Sequence, residues 1–317
     1  MMKMRMIEMK QKSTVLITGG TGFLGSHLAK RLLKEGNEVI ILKRSFSDTR
    51  RISDVLSDLT FYDIDICDIE QPFRDFGKID AIIHTATVYG RYQENINEIV
   101  QTNIVFPLRL LQVGNDFGTN TYFNTDTAFN KCFNKCSVPY RGLPKYSLSK
   151  KQFMEWGQEF ARYGNIRFVN VKLEYLYGPE DNDSTFTNYV IKECLNNSPQ
   201  IELTGGEQKR DFIYVEDAVS AYTLLLKENP DQCFPYQEYE LGSGQALSIR
   251  EFSEMVKKLT NAQTQLNFGA LPYREDEIMF SQANIEALAK LGWQPEGNLE
   301  SRLLQTIEYA RKALHII

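Results

Sequence analysis

Three glycines at three-residue intervals, Gly19, Gly22 and Gly25, follow the first apolar run of this chain. The run before them, residues 15–17, has the length and composition of a buried strand, and leucines at helical spacing begin at Leu24. Glycines in such a turn let the backbone bend sharply and approach a pyrophosphate without an intervening Cβ, at a helix N-terminus that favours anions. The stretch therefore predicts a βαβ unit that binds a dinucleotide, with an ordinary loop as the alternative.

The composition is that of an ordinary soluble protein of 317 residues, with a formal net charge of -5 and a pI near 5.5. This acidic balance argues against a nucleic-acid partner, and no apolar run approaches the roughly 20 residues of a membrane span. The N-terminal residues lack the apolar core of a signal peptide, so we expect a cytoplasmic protein. The five cysteines are scattered, and we expect reduced thiols and no metal site.

Short apolar runs alternate with helical patterns over the first part of the chain. Strands are predicted at residues 15–17, 38–42, 61–68, 80–84, 122–127 and 166–173, and long helices at 96–117 and 145–163. This alternation predicts an α/β fold with a doubly wound parallel Rossmann sheet. After Pro179 the pattern loosens. We therefore predict a dinucleotide-binding domain at 13–179 and a smaller C-terminal α/β substrate-binding portion at 180–317, interleaved with the first.

The end of the second predicted strand carries Lys43 and Arg44 instead of an acid. In a Rossmann unit this position faces the adenosine ribose, where an acid binds the 2′-hydroxyl of NAD and a basic residue accommodates the 2′-phosphate of NADP. The pair therefore favours NADPH as the cofactor, with NAD as the second choice. A solvated basic pair without a ligand is the alternative interpretation.

Tyr146 and Lys150 stand four residues apart near a predicted helix start, so they share one helix face. An ammonium there can lower the pKa of the phenol by stabilising the phenolate. A phenol with its ordinary pKa of about 10 is a poor acid–base catalyst at neutral pH, whereas a phenol with a depressed pKa is effective. The pair predicts proton transfer, and its alternative is a surface tyrosine near a lysine.

Three features in this order resemble those of the extended short-chain dehydrogenase/reductases, the NAD-dependent epimerase/dehydratase family. They are the glycine turn, Thr125 at the end of the fifth predicted strand, and the Tyr146/Lys150 pair about 20 residues later. The resemblance implies that Thr125, Tyr146 and Lys150 are the catalytic residues. Thr125 would bind the reacting substrate oxygen, Tyr146 would transfer its proton, and Lys150 would also contact the nicotinamide ribose.

The same resemblance assigns a set of residues to the cofactor. The set comprises Gly19, Gly22, Phe23, Leu24, Gly25, Lys43, Arg44, Asp65, Ile66, Thr85, Ala86, Asn103, Tyr146 and Lys150. Asp65 and Ile66 would meet the adenine, and Thr85 and Ala86 would form the turn beside the cofactor. Asn103 would brace the active site from within the long helix at 96–117.

The residues after Thr125 separate reactions within the family. Sugar-nucleotide 4,6-dehydratases carry Thr-Asp-Glu here, whereas this chain has Thr125-Asp126-Thr127. The missing glutamate argues against elimination of water, and Asp126 is expected to be a polar part of the substrate site. Arg210 in RDFIYVED and Arg274 in LPYREDE resemble the family's clamp on the nucleotide diphosphate, for which a planar guanidinium is suited. Without the resemblance, each arginine could equally form a surface ion pair.

Residues 271–293, together with the segment around Tyr146, resemble the synthases of CDP-abequose and CDP-paratose within this family. The resemblance implies NADPH-dependent reduction of the C4 ketone of a nucleotide-activated 4-keto-deoxyhexose, namely a CDP-4-keto-3,6-dideoxyhexose, in the synthesis of deoxysugar precursors of O-antigen. The substrate is then a nucleotide sugar, and a homodimer through the two long helices is a further expectation. Two alternatives stay open, a nucleotide-sugar 4-epimerase that holds NAD and a non-catalytic NADP(H)-binding regulator.

Overall fold

The computed structural model describes residues 12–91, 94–134, 143–228 and 235–315. In chain order, the strands are β1 (Thr14–Thr18), β2 (Glu38–Lys43), β3 (Thr60–Asp63), β4 (Ala81–His84), β5 (Thr121–Thr127), β6 (Arg167–Leu173), β7 (Tyr175–Tyr177), β8 (Gln200–Leu203), β9 (Lys209–Tyr214), β10 (Tyr236–Leu241), β11 (Ala246–Ser248) and β12 (Gln265–Phe268). The helices are α1 (Phe23–Lys34), α2 (Gln71–Phe76), α3 (Ile96–Val100), α4 (Phe106–Asp116), α5 (Pro144–Tyr163), α6 (Phe186–Leu195), α7 (Val215–Lys227), α8 (Ile249–Thr260), α9 (Glu286–Lys290) and α10 (Leu299–Ala313).

A seven-stranded parallel sheet forms the centre of the molecule, in the order β10-β6-β5-β4-β1-β2-β3. Strand β1 is fully buried along Val15, Leu16 and Ile17, as expected for a parallel sheet that is covered on both faces. The strand order reverses between β1 and β4, and ligands of such sheets bind at the carboxyl ends of the strands beside this switch point. This architecture confirms the predicted doubly wound parallel sheet.

Helices cover both faces of this sheet. On one face, α1 and α7 pack around Val15 and Ile17. On the other face, α2, α4 and α5 pack around Leu16. Successive residues of a strand point to opposite faces of the sheet, which is why Leu16 packs on one face while its neighbours Val15 and Ile17 pack on the other. The sheet therefore lies between two buried layers, and the carboxyl ends of its strands remain for a site.

The rest of the chain forms a smaller part with its own core. A three-stranded sheet, β11-β9-β7, and a two-stranded sheet, β12-β8, are covered by α6, α8 and α10. The rings of Phe212 and Phe252 stack in this core with centroids 4.2 Å apart. However, α7 and β10 also come from the second half of the chain and complete the main sheet, so residues before and after 179 share it. The division at 179 itself stays a prediction.

The structure differs from the sequence prediction in two regular elements. Strand β3 ends at Asp63, not at residue 68, because the backbone N–H groups of Ile66 and Cys67 bond to the Asp63 carbonyl and turn the chain. The helix predicted at 96–117 is interrupted between α3 and α4 by a π-helical segment, Gln101–Val105. Both differences arise from backbone hydrogen bonds that the apolar pattern does not encode.

Two further predictions concern the loop at 129–143 and the cysteines. The loop begins with a 3-10 segment, Ala128–Asn134, and residues 135–142 lie outside the described ranges. Cys67 and Cys194 carry free thiols, whereas Cys136 and Cys233 lie outside the described ranges. In the part of the chain that the structure describes, no helix is long and apolar enough to cross a membrane.

Gly157 offers a test of how tightly α5 packs on the sheet. A Cβ built at this position would lie 2.1 Å from a ring atom of Phe168, which is fully buried. Alanine in a helix gains up to about 1 kcal/mol over glycine, but overpacking a core costs about 1–3 kcal/mol. A contact this short belongs at the upper end of the range for overpacking, so the cost exceeds the gain in helix propensity. We therefore expect Gly157→Ala to lower the free energy of unfolding by about 1–2 kcal/mol, measured by urea denaturation.

The matched control is Glu155→Ala, at an exposed position of the same helix. It should change the free energy of unfolding by less than about 0.5 kcal/mol. Unchanged or greater stability of Gly157→Ala would contradict the close contact between α5 and Phe168.

Candidate active site

The glycine turn after β1 lies against the turn after β4. Gly19 has a φ of 68°, and a Cβ there would lie 2.7 Å from the Ala86 nitrogen and from the Thr85 hydroxyl. A Cβ on Gly25 would lie 2.2 Å from the Gly19 carbonyl oxygen, so α1 can begin this close to β1 only because the residue is glycine. The Thr85 hydroxyl donates to the Thr18 carbonyl at 2.8 Å and ties the two turns together.

The N-terminus of α1 suits an anionic group. Gly22 is the N-cap, and within the described residues no side chain caps the helix and no acid occupies its first turn. A Cβ on Gly22 would meet the Gly19 carbonyl at 3.1 Å and no other described atom within 4 Å. The first N–H groups of a helix have no intrahelical partner, and here Phe23 and Leu24 supply them. These residues fit the pyrophosphate of a dinucleotide.

The two cations at the end of β2 differ in exposure. The Lys43 ammonium lies 2.5 Å from the Asp63 carboxylate, and 13% of its side chain is exposed. Its charge is therefore largely compensated inside the protein. Arg44 is exposed, and its guanidinium carbon lies 4.7 Å from the ring centre of Phe46. Of the two residues predicted to accommodate the 2′-phosphate, Arg44 is the more accessible.

Asp65 and Ile66 follow β3 in an exposed turn. The Asp65 carboxylate accepts hydrogen bonds from the Ser45 hydroxyl at 2.6 Å and from the Ser45 N–H at 2.8 Å, and these bonds lower its pKa. The Ile66 side chain is 75% exposed. The turn thus lies beside the end of β2, on the edge that carries Arg44. Its predicted contact with the adenine stays a prediction.

Asn103 lies inside the π-helical segment and is fully buried. Its side-chain oxygen accepts from the Val88 N–H at 2.8 Å, and its amide donates to the Val88 carbonyl at 2.8 Å and to the Ser149 hydroxyl at 3.0 Å. Turns of π geometry are frequent at functional sites, and this one places the amide between the loop after β4 and α5. The Thr87 hydroxyl also donates to the Asn103 oxygen at 3.3 Å, so Asn103 acts on the loop after β4 through Thr87 and Val88 and on α5 through Ser149.

Tyr146 and Lys150 lie on the side of α5 that faces the sheet. The helix begins at Pro144, whose fixed φ suits a first helical position. Only 6% of Tyr146 and 1% of Lys150 are exposed. The structure thus places the predicted acid–base pair in a nearly dry layer, instead of on the surface.

Burial decides the protonation of this pair. It raises the pKa of Tyr146 well above its ordinary value, and the charges of Tyr89 and Asp126 add to this, while a hydrogen bond with Thr127 acts in the opposite direction. Burial also lowers the pKa of Lys150 to about 8, against the attraction of Asp126. The expectation that Lys150 depresses the pKa of Tyr146 is therefore wrong for this structure, because desolvation dominates. Tyr146 therefore carries its proton at neutral pH, and donation of that proton requires a cation such as the Lys150 ammonium to stabilise the phenolate that forms.

The three residues at the end of β5 have different surroundings. The Thr125 hydroxyl is 2.7 Å from the hydroxyl of Tyr222 on α7. Asp126 points to the opposite face of the sheet, toward α5, and is 2% exposed. Thr127 is the β5 residue whose hydrogen bond lowers the pKa of Tyr146. Sequence reasoning missed Tyr222 and Thr127, since the first is an ordinary core position of α7 and the second stands where the family comparison only notes a missing acid.

A second aromatic ring lies against Tyr146. The ring centre of Tyr89 is 4.9 Å from that of Tyr146, and the Arg91 guanidinium carbon is 4.8 Å from the Tyr89 ring centre. Both residues are exposed and belong to the loop between β4 and α3. Sequence reasoning missed them because a loop has no periodicity to read. Tyr89 therefore packs against the Tyr146 ring from the side of this loop.

Arg210 on β9 is buried among acceptors. Its guanidinium donates to the Tyr175 hydroxyl at 2.9 Å, the Lys209 carbonyl at 2.9 Å and the Glu277 carboxylate at 2.5 Å. Arg274 is exposed on the segment that also carries Glu277, whose N–H donates to the Arg274 carbonyl at 3.1 Å. The structure therefore brings the two predicted arginines to neighbouring segments, with Glu277 bound to Arg210.

Known proteins resemble this chain over nearly its whole length. A profile of the NAD dependent epimerase/dehydratase family matches residues 15–242. The chain is 36% identical to a CDP-abequose synthase of Salmonella muenchen, over 93% of this chain and 96% of that protein. This degree of identity over more than nine-tenths of both chains indicates the same fold.

Solved structures share the fold. A UDP-glucose 4-epimerase of Thermotoga maritima, determined with UDP-glucose, has a TM-score of 0.81 at 21% identity, covering 95% of this chain and 99% of that chain. A UDP-glucose 4-epimerase of Thermus thermophilus, determined with NAD, has a TM-score of 0.79 at 22% identity, again covering 95% and 99%. At these identities the likeness establishes the fold alone.

The unequal exposure of Lys43 and Arg44 predicts unequal roles in cofactor choice. A charge-assisted contact from Arg44 to a 2′-phosphate contributes about 1.5–3 kcal/mol, which is roughly 10–150-fold in affinity. We expect Arg44→Ala to weaken NADPH binding by at least about tenfold and NADH binding by less than about threefold, measured by titration of nicotinamide fluorescence.

Lys43→Ala is the matched comparison for Arg44→Ala. Because its ammonium is already paired with Asp63, we expect this change to weaken NADPH binding by less than about threefold. Equal affinities of the unaltered protein for NADPH and NADH would contradict the assignment of this edge to a 2′-phosphate.

Proposed function

The chain belongs to the NAD-dependent epimerase/dehydratase family, and we propose that it reduces the C4 ketone of a nucleotide-activated 4-keto-deoxyhexose with NADPH. The expected substrate is a CDP-4-keto-3,6-dideoxyhexose, because a relative with 36% identity over 93% of the chain is a CDP-abequose synthase. The product is then a CDP-3,6-dideoxyhexose, an activated deoxysugar that a glycosyl-transfer reaction can consume.

The placement of Tyr146 is the observation that carries this proposal. Its phenol is buried at the carboxyl ends of the parallel strands, keeps its proton at neutral pH, and has Lys150 one helical turn away. A ketone that accepts a hydride becomes an alkoxide, which needs a proton donor within hydrogen-bond reach. A buried and protonated phenol, with a cation one helical turn away to stabilise its phenolate, supplies that donor.

Each residue of the site then has one task. The nicotinamide cofactor, when bound, supplies the hydride. Tyr146 donates its proton to the C4 oxygen, and Thr127 hydrogen-bonds to the phenol. Thr125 binds the C4 oxygen by exchanging its bond to Tyr222 for one to the substrate. The Lys150 ammonium stabilises the phenolate that remains. Position 127 carries no carboxylate, so the site has no base there for the elimination of water.

A 4-epimerase is the second candidate, because the solved structures with TM-scores of 0.81 and 0.79 are UDP-glucose 4-epimerases. Such an enzyme uses the same pair of tyrosine and lysine, so the pair does not separate the two activities. The exposed cation Arg44 favours the reductase, since an enzyme that keeps NAD bound has no use for a 2′-phosphate site. A non-catalytic regulator is disfavoured because a binding protein has no need of the buried acid Tyr146.

The test is an assay of NADPH oxidation with a CDP-4-keto-3,6-dideoxyhexose. We expect one NADPH to be consumed per alcohol formed, and we expect Tyr146→Phe to lower kcat by about 10²–10⁴-fold while NADPH affinity stays within about twofold. UDP-glucose, which has no ketone, is the control substrate and should leave NADPH unchanged. Conversion of UDP-glucose to UDP-galactose without added NADPH would support the epimerase, and no turnover of any 4-ketosugar nucleotide would rule out the reductase.

Arg210 and Arg274 are assigned to the diphosphate of the substrate. Glu277 now neutralises Arg210, so a diphosphate exchanges one anionic partner for another and the buried guanidinium is paired throughout. We expect Arg210→Lys and Arg274→Ala each to raise the KM of the nucleotide sugar by about tenfold, since a point charge or no charge replaces the planar fork. The KM of NADPH should stay within about twofold.

Arg162→Ala, at a 69% exposed site on the last turn of α5, is the matched control and should change neither KM. If the two variants raise the KM of NADPH alone, the assignment of Arg210 and Arg274 to the nucleotide sugar is wrong.

A further inference from the structure

A polar ladder crosses the layer between α5 and the sheet, where a core is normally apolar. It consists of Asn124 on β5, Asn170 on β6 and Glu238 on β10, which stand side by side in neighbouring strands. The Asn124 amide donates to the Asn170 oxygen at 2.7 Å, and the Asn170 amide donates to the Glu238 carboxylate at 3.1 Å. Asn124 and Asn170 are fully buried, whereas the side chain of Glu238 is 33% exposed. Buried polar groups are costly unless they are satisfied, so the connected pair of buried amides points to a role.

Asp126 forms the inner end of this ladder, two residues after Asn124 on the same face of β5. Its carboxylate accepts from the Thr127 N–H at 2.8 Å, the Asn130 amide at 2.8 Å and the Asn170 amide at 3.1 Å. The residue is 2% exposed. To turn outward to a sugar, the carboxylate would have to break these bonds, so they hold it toward α5.

The outer end of the ladder is already balanced in charge. The Lys172 ammonium lies 2.7 Å from the Glu238 carboxylate, and the Tyr236 hydroxyl donates to the same carboxylate at 2.8 Å. The side chain of Lys172 is 6% exposed and that of Glu238 is 33% exposed, so this ion pair lies at the rim of the layer. A buried charge is costly unless an opposite charge lies nearby. Because the carboxylate of Asp126 is more deeply buried than that of Glu238, we expect its cation within the same layer.

Lys150 lies on the stripe of α5 that faces the ladder, one turn before Phe153. The Phe153 ring is 5.9 Å from the ring of Tyr122, which precedes Asn124 by two residues on β5. Because α5 runs antiparallel to the strands, one turn back along the helix, about 5.4 Å, matches about two residues forward along a strand. Lys150 therefore lies over the part of β5 that carries Asn124 and Asp126.

We propose that Asp126 is the counter-ion of Lys150, that it keeps the ammonium charged and in place behind Tyr146, and that it acts on the reaction through Lys150 instead of touching the sugar. The effect on catalysis rests on the proposed function, whereas the pairing does not. Asn130 and Asn170 orient the carboxylate. The Asn124 side-chain oxygen, which has no hydrogen-bond partner within the described residues, is a second acceptor on the same face.

The charges around the pair agree with this assignment. Burial lowers the pKa of Lys150 to about 8 and the charge of Asp126 opposes this, while burial raises the pKa of Asp126 and the charge of Lys150 opposes that. The other titratable groups facing the pair are His84 from β4, Tyr146 from α5, Tyr222 from α7 and Tyr236 from β10. Burial lowers the pKa of the imidazole and raises those of the phenols, so these four are neutral at pH 7. Within this group of residues, Asp126 and Lys150 are therefore the acid and the base that can carry opposite charges.

A double-mutant cycle on stability tests the pairing without any substrate. Asp126→Asn leaves the Lys150 ammonium buried without a counter-charge, so we expect the unfolding equilibrium to move toward the unfolded state by about tenfold or more. In a Lys150→Met background, the same change should cost at most about twofold, because no charge is then left alone. Glu238→Gln, the matched exchange of acid for amide at the outer end, should be additive with Lys150→Met.

Additive effects of Asp126→Asn and Lys150→Met would overturn the proposal. If Asp126→Asn alone does not fold, recovery of a folded protein in the double variant supports the pairing. A double variant that stays unfolded, while Lys150→Met alone folds, would overturn it.

Kinetics separate this positioning role from contact with the sugar. We expect Asp126→Asn to lower kcat by about tenfold or more and to keep the KM of the nucleotide sugar within about twofold. The alkaline limb of the kcat profile should move to lower pH, because Lys150 loses its proton more readily without the nearby anion. A raised KM with an unmoved alkaline limb would mean that Asp126 binds the sugar. If no nucleotide sugar turns over, the proposed function fails, and the stability cycle still decides the pairing.

Discussion

The close approach of α1 to β1 is the contact on which the rest of the arrangement depends. Because Gly25 has no Cβ, the helix begins directly against the Gly19 carbonyl, and because Gly19 adopts a positive φ, the chain leaves β1 against the turn after β4. This packing brings the positive end of a helix to the point where the strand order reverses. A side chain at either glycine would push these backbones apart. The N-terminus of α1 would then move away from the strand ends that carry the other groups of the site.

The layer beneath α5 is divided along the strands. Toward their amino ends, the rings of Tyr122, Phe153 and Phe168 pack against one another in an apolar half. Toward their carboxyl ends, amides and carboxylates from β5, β6 and β10 replace those rings. Desolvation acts on both titratable side chains that α5 brings into this layer. It raises the pKa of Tyr146, which keeps its proton, and it lowers the pKa of Lys150. The polar half is what makes an enclosed ammonium tolerable there.

The features that could be predicted from the sequence are those set by residues close together along the chain. The glycine turn, the alternation of strands with helices and the Tyr146–Lys150 spacing are local patterns, and the structure contains each of them. The partners of the polar groups were not predictable, since Thr125 meets Tyr222 across 97 residues and Arg210 meets Glu277 across 67. The predicted direction of the Tyr146 pKa shift was wrong for the same reason. Desolvation depends on which parts of the fold pack over the phenol, and the spacing of Tyr146 and Lys150 in the sequence does not reveal this.

The main sheet takes its last strand from far along the chain. Strand β10 pairs with β6, but α6, β8, β9 and α7 all lie between them in sequence. During synthesis, β6 therefore stays an unpaired edge, and its Val169 and Val171 stay uncovered until α7 and β10 have emerged. Such late, non-local pairing slows folding and leaves an aggregation-prone intermediate. A gene fragment that stops near residue 179 would thus encode six of the seven strands of the main sheet, with β6 as an open edge, and would not be expected to fold as a free-standing module.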